Sequence, residues 1–258
     1  MTIARATEHD YQELKDLWSI VFQEDPAFLE HFFAKRFFAE HIFTARVDGK
    51  LVSALHALPA SYQKEGDTFP CSYIVGAATY REYRRQGIMG RLLYETAHAY
   101  DHPITLFPAV RPFYEANGYT TTSSLASYSL EGFAGESVEP CPVDHRELDR
   151  IYRQATAKDG ALLRDGEAWK FLTEGYETVC VEDGYAFLSE HKAVETFALH
   201  AQAAKNLISL LAMRSITTVY TLSQSEIARL FPHQKAVPIP MGMSTANALH
   251  GVYIAEQY

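Results

Sequence analysis

Residues 80–100 read YREYRRQGIMGRLLYETAHAY. Arg84, Arg85, Gln86 and Gly87 stand directly before a run in which Ile88, Met89, Leu92, Leu93 and Ala97 share one helical face. The run before them, FPCSYIVGAATY (69–80), is nearly continuous in apolar residues, the pattern of a strand buried on both faces. A strand that enters a helix through a Gly-containing turn is a ready anion site. The first helical turn carries unpaired N–H groups, and its dipole places partial positive charge there. Gly87 lets backbone approach a bulky oxyanion, and Arg84 and Arg85 can add charge-assisted hydrogen bonds. These residues alone leave two readings open, a phosphate or pyrophosphate binder and an exposed basic turn.

Outward from that stretch the pattern is a mixed α/β one. Residues 2–6 read as a short strand. Thr7 with Asp10 makes a capping-box-like start, after which Tyr11, Leu14, Leu17, Trp18, Val21 and Phe22 recur on one helical face. QEDP (23–26) breaks that helix and AFLEHFFAKRFF (27–38) forms a second. Two strands follow in 42–63, joined at Asp48-Gly49, a strong hairpin signal. Beyond the arginine turn come a strand in PITLFPAV (103–110), a short helix in RPFYEANG (111–118) and a last β run in 119–130. The order over 2–130 is β-α-α-β-β-β-α-β-α-β. Residues 131–144, rich in Gly, Pro and acidic side chains, read as a linker. From 145 to 258 helices, strands and a hairpin at Asp183-Gly184 echo the first half, which predicts two related α/β (α+β) domains, 1–130 and 145–258.

With 32 Asp+Glu against 23 Lys+Arg and a formal net charge of −9, the chain lacks the basic surplus that a nucleic-acid partner requires. The balance is compatible with a cationic small molecule. Cys71, Cys141 and Cys180 show no metal-type spacing, and an odd count with no leader-like start points to a reducing compartment. No apolar run approaches the length of a membrane span. The expectation is a cytoplasmic protein with neither metal nor membrane, and a homo-oligomer is compatible with it.

The arginine turn resembles the signature of the GNAT superfamily of acyl-CoA-dependent N-acyltransferases, (Arg/Gln)-x-x-Gly-x-(Gly/Ala) between a buried strand and a helix. Here it stands as Arg84-x-x-Gly87-x-Met89, with Gly90 one place late. RPFYEANGY (111–119) resembles the superfamily's Phe-Tyr-x-x-x-Gly-Phe/Tyr segment. The methionine and the second α/β half resemble the Eis-like (enhanced intracellular survival) branch, whose tandem GNAT-like domains carry the CoA loop in the first only. Those enzymes usually add a sterol-carrier-like third domain, for which this sequence shows no segment after residue 258. The resemblance implies a GNAT fold and acetyl-CoA as co-substrate. It implies that Arg84, Arg85, Gln86, Gly87, Ile88 and Met89 cradle the pyrophosphate, and that Ala77, Ala78 and Thr79 offer backbone hydrogen bonds to the pantetheine arm, as an added strand would receive them.

Acyl transfer from a thioester to an amine needs a neutral amine, a donor to the developing oxyanion and a proton or hydrogen bond for the departing thiolate. The resemblance assigns the last role to Tyr114. A phenol of pKa about 10 facing a thiol of about 8.5 makes full transfer uphill by roughly 2 kcal/mol, which a tightening hydrogen bond avoids. The oxyanion donor would be a backbone N–H of 77–79. Glu24 and Asp25, between the first two helices, lie where this fold often builds its acceptor pocket, and a solvated turn is their alternative. His56 reads as base, lining or core. Arg111, His98 and His102 read as local features. The expected activity is an N-acetyltransferase acting on a primary amine of a small cationic molecule or of a protein or peptide Lys or N-terminus. A non-catalytic acyl-CoA-binding or interaction module is the alternative, and a tRNA-dependent aminoacyl transferase ranks last for want of basic surface.

Overall fold

The computed structural model describes residues 1–256. In chain order the elements are β1 (Thr2–Arg5), α1 (Tyr11–Phe22), α2 (Pro26–Arg36), β2 (Ile42–Val47), β3 (Lys50–Lys64), β4 (Asp67–Thr79), α3 (Ile88–His98), β5 (Ile104–Leu106), α4 (Arg111–Glu115), β6 (Thr120–Thr121) and β7 (Ser124–Ser129). There follow α5 (His145–Ala155), β8 (Ala161–Leu162), α6 (Gly166–Gly175), β9 (Glu177–Val181), β10 (Gly184–Ser189), β11 (Lys192–Ala198), α7 (Ala201–Met213), β12 (Thr218–Thr221), β13 (Val237–Pro240) and β14 (Met243–Ser244). The mixed α/β class with two sheets is as expected. One sheet runs β1-β2-β3-β4-β5-β14-β6 and the other β13-β7-β12-β11-β10-β9.

The local signals act as their chemistry requires. Asp10 accepts from the Thr7 amide (2.7 Å) and hydroxyl (2.9 Å), and Leu14, Leu17 and Trp18 are the buried face of α1. Asp48 and Gly49 both take positive φ, +50° and +83°, the backbone that a tight two-residue hairpin turn demands. α3 buries Ile88, Leu92 and Leu93 against Ile74, Ile104, Leu106, Tyr114, Tyr119 and Met243 in one core.

The chain divides into two compact units, and neither is continuous in sequence. The first comprises Met1–Tyr62, Phe69–Thr120 and Met243–His250; the second comprises Gln63–Thr68, Thr121–Gly242 and the residues from Gly251 on. This differs from a division at 131–144. β7, read as the last strand of the first half, pairs antiparallel with β12, Val219 opposite Tyr128, and with β13, Ile239 opposite Leu125. β14 pairs antiparallel with β5, Met243 opposite Leu106. Alternation marks Ser124–Ser129 as a strand but carries no information on a partner strand about a hundred residues away. Nor is 131–144 a free linker. Phe133 and Val138 pack on the core of the second unit, and Gly135 lies so close to the Ser209 carbonyl that a Cβ there would be 2.5 Å from its oxygen.

The second unit repeats the motif of the first. In each, a helix leads from one central strand to a parallel neighbour: β4-α3-β5 pairs Tyr73 with Thr105, and β11-α7-β12 pairs Ala193 with Val219. The second core also holds a buried ionic cluster. Arg164 binds Glu195 with two parallel hydrogen bonds of 2.7 Å and reaches Glu256 at 2.8 Å, while Tyr185 (2.6 Å) and Tyr253 (2.7 Å) donate to Glu195. The guanidinium lies over the Tyr152 ring, 4.0 Å from its centroid. Burial works against the Glu195 carboxylate, yet Arg164 and the two phenols hold it below the ordinary range, whereas burial pushes Glu256 up despite Arg164.

Candidate active site

The site is built where β4 and β5 part. Their parallel pairing covers Ser72–Ile74 opposite Ile104–Leu106 and goes no further. At the point of departure the Phe107 amide donates to the Tyr73 hydroxyl (3.2 Å) instead of to β4 backbone. Within β4, Gly76 takes a φ of +61° that only glycine adopts without strain. A Cβ at Gly76 would lie 1.8 Å from the Trp18 ring, so the indole of α1 packs directly on this backbone.

Beyond Gly76 the direction of the backbone groups can be read from their partners. The Tyr80 amide donates to Val52 (3.0 Å) and the Ala78 carbonyl accepts from the Ser53 hydroxyl (2.8 Å), so residues 78 and 80 face β3. In strand alternation Ala77 and Thr79 then face the opposite edge, the one β5 has left. Arg84 Nε donates to the Thr79 carbonyl (2.9 Å). Ala77 and the Thr79 amide are therefore the groups of this edge that face the opening. Ala78 is completely buried and turned the other way, so of the three residues expected to offer backbone bonds it is the one that faces β3 and not the opening.

The arginine turn follows at once. Arg84 is extended (φ −70°, ψ 159°), Arg85 takes φ +62° and Gly87 φ +77°, a loop of alternating hand that turns successive amides toward one side. α3 begins at Ile88 with no side chain capping its first turn, and its first internal bond is Arg91 N–H to the Gly87 carbonyl (3.1 Å). A Cβ on Gly87 would meet nothing within 4 Å, so the backbone there is open to a large group. Arg84, Arg85, Gln86 and Gly87 are exposed, Ile88 is buried and Met89 packs against the core. Two side chains act on the turn itself: Arg84 braces it through Thr79, and the Gln86 amide donates to the Glu82 carbonyl (3.1 Å).

Tyr114 is 9% exposed and belongs to the same core as Ala77, Ile88 and Met89. It meets Tyr119 edge to face at 5.9 Å, and the Tyr119 hydroxyl is buried with no hydrogen-bond partner among the described residues. Burial raises the pKa of Tyr114 above the ordinary 10. Glu24 is exposed and unpaired among the described residues, while Asp25 accepts from the Ala27 (2.8 Å) and Phe28 (3.2 Å) amides as the N-cap of α2. His56 is fully buried between the rings of Trp18, Phe32 and Phe33, 5.2–6.0 Å away, and burial lowers its pKa to about 3. It is a neutral member of the aromatic layer, sealed from solvent, which is not the setting of a base. Sequence reasoning missed Trp18 and Tyr73 as site-shaping residues; the glycine inside an apolar strand run was the available signal.

Among the described residues the second unit shows no such opening. Leu199 and His200 alone separate β11 from α7, and the His200 ring accepts from the Ala203 amide (3.2 Å) as its cap. The Thr221 hydroxyl donates to the Thr196 carbonyl (2.7 Å), tying β12 to β11. Among the described residues no group of three metal-type side chains stands together, and no helix is long and apolar enough to cross a membrane.

A sheet parted at β4, a left-handed turn and an uncapped helix belong to a GNAT-like fold. Residues 2–122 match the model of the acetyltransferase (GNAT) domain. Three solved structures show the same fold over nearly the whole chain. A protein of Enterococcus faecalis described as a "probable N-acyltransferase" is 21% identical at a TM-score of 0.72, over 94% of this chain and 72% of its own. A GCN5-related N-acetyltransferase from Anabaena variabilis is 18% identical at 0.71, with the same coverage. Eis1 from Mycobacterium abscessus is 14% identical at 0.65, over 95% of this chain and 73% of its own. None of the curated proteins matches the sequence.

Proposed function

We propose that the protein transfers an acetyl group from acetyl-CoA to a primary amine of a small cationic molecule, or of a peptide or protein, at the opening between β4 and β5. The observation that supports this most is the continuity of three features: a strand edge without a partner, a turn of left-handed residues and an uncapped helix start. The co-substrate supplies an activated thioester, a peptide-like arm and a pyrophosphate, and each has a counterpart here. Ala77 and the Thr79 amide pair with the arm as an added strand would. The amides of Gly87 to Met89, with the side chain of Arg85, hold the pyrophosphate. Arg84 and Gln86 act through the loop they brace.

Tyr114 touches the departing sulfur as a hydrogen-bond donor. Burial makes it a weaker acid than free phenol, so a bond that tightens as sulfur gains charge is favoured over full proton transfer. An N–H of the 77–79 edge faces the developing oxyanion. Glu24, exposed at the α1–α2 break, attracts a cationic acceptor, and water takes the amine proton; His56 and Asp25 are occupied elsewhere.

Calorimetry with acetyl-CoA tests the donor site. Saturable binding by the wild type, lost in Gly87→Glu where a carboxylate meets the pyrophosphate, supports it; no binding of acetyl-CoA or longer acyl-CoAs by the wild type refutes it. Thiol release with an amine panel then tests chemistry, Tyr114→Phe being expected to lower kcat about 100-fold at unchanged donor affinity. The rate should climb with pH as the amine loses its proton and show no falling limb below pH about 10.

A further inference from the structure

Two of the three cysteines, distant in sequence, meet in the second unit. The Cys141 amide donates to the Cys180 carbonyl (2.9 Å), which lays the end of the 131–144 segment alongside β9. Both thiols are free, and both line one cavity of about 380 Å³ together with Leu148, Arg150, Ile151 and Asp183. A direct backbone bond and a shared cavity are compatible with the roughly 4.4–6.8 Å between Cα atoms that a disulfide spans, and the Cys141 thiol is near enough to raise the pKa of Cys180. Neither residue belongs to the acyl-transfer site, and no part of the proposed reaction uses them.

We propose that Cys141 and Cys180 are a reversible thiol–disulfide pair, closed by exchange with a low-molecular-weight disulfide, whose bond fastens the 131–144 segment to β9.

The two thiols are unequal, which orders the steps. Cys141 is exposed, whereas Cys180 is 6% exposed and burial beside Cys141 pushes its thiol up to about 11. The Cys141 thiolate attacks one sulfur of the small disulfide, forming a mixed disulfide and expelling one thiolate. Cys180 then gives its proton to water and attacks the Cys141 sulfur, expelling the second thiolate. Two protein thiols are oxidised, one small disulfide is reduced to two thiols, and a dithiol reductant reverses both steps. The segment that gains the fastening is otherwise held by Phe133 and Val138 on the core. The bond would close a loop carrying α5 and α6, and closing a long loop restricts the unfolded chain more than the folded one.

The full chain is incubated with oxidised glutathione, then analysed by intact mass, peptide mapping and thermal unfolding. The proposal expects a product lighter by about two mass units, a linked pair of peptides containing Cys141 and Cys180, and an unfolding temperature higher by about 5 °C or more. All three revert on reduction and are absent in Cys141→Ser, an exposed site whose change leaves the core intact. A stable glutathione adduct on Cys141 with Cys180 still free overturns the proposal. So does the absence of any product under conditions that oxidise the same chain in urea, or a bond that leaves the unfolding temperature unchanged. The acyl-transfer reading is tested separately, since acetyl-CoA binding at the β4 edge involves neither thiol.

Discussion

His56 and Gly76 meet the same indole from different strands, and each has a measurable consequence. Both ring nitrogens of His56 are buried without a hydrogen-bond partner among the described residues, and the ring stays neutral down to about pH 3. The unfolded chain accepts a proton near pH 6.5. The folded-state pKa is the lower one, so His56 costs nothing above pH 6.5. Below it, stability falls by about 1.4 kcal/mol per pH unit until pH about 3, where the folded protein protonates too. His56→Leu should flatten that slope, and urea midpoints collected from pH 6.5 to 4 measure it; parallel pH dependences of wild type and variant would remove the argument. At Gly76 the strain and the indole act together. Gly76→Ala forces φ +61° on a residue with a Cβ and drives that Cβ into Trp18. The expected loss is about 2–4 kcal/mol of stability and at least about ten-fold in acetyl-CoA affinity. A variant with unchanged unfolding and unchanged calorimetric affinity would show that the opening does not depend on this kink. Arg84, Gly87 and Tyr114 stand out in the sequence as candidates because they sit in short, patterned stretches. Trp18 was legible only as an apolar helix residue, because its role arises from a strand far along the chain.

Helix starts separate the two units and also separate structure from function within the first. α2 begins at Asp25, whose carboxylate accepts two backbone amides, and α7 begins at a capping His200; α3 begins at Gly87 with no side-chain cap. Amides that the protein leaves unsatisfied at α3 are those a bound anion can use. This gives Asp25 a structural reading that can be set against a catalytic one. Asp25→Ala should cost about 1 kcal/mol of stability, while Asp25→Asn, an equally good cap without the charge, should keep both stability and the rate of amine acetylation. If Asp25→Asn folds normally and turns over poorly, the carboxylate acts in chemistry and the capping account is incomplete. Element types along 2–130 were readable from periodicity, and the Asp48-Gly49 hairpin from its turn residues. In the second unit only Leu199 and His200 lie between β11 and α7, which leaves no room for a Gly-containing turn.

The division of the molecule was not readable, and the reason lies in strand pairing. A sequence pattern tells how a strand's two faces are used, but its edges are settled by which strands arrive there. Ser124–Ser129 joins the second sheet, and Met243–Ser244 comes from the far end of the chain to pair with β5 in the first. Met243 is fully buried in the core that holds Leu106, Tyr114 and Tyr119, and the Thr105 hydroxyl donates to its carbonyl (2.8 Å). Ser244 and Thr245 add hydrogen bonds to Ile104. A fragment ending at residue 130 keeps every residue assigned to the donor site and lacks all of these. It loses the strand between β5 and β6 and leaves the edge of the three-residue β5 that faced β14 unpaired. Fragment 1–130 should therefore fail to unfold cooperatively and fail to bind acetyl-CoA, although the matched domain ends at residue 122. Circular dichroism melting and calorimetry on the fragment beside the full chain decide the point. A soluble fragment that melts in a single transition and binds acetyl-CoA as the full chain does would mean that the opening at β4 needs only contiguous sequence. Loss of both, with the full chain active, would assign the closing segment a part in holding β5, and through β5 the position of Tyr114.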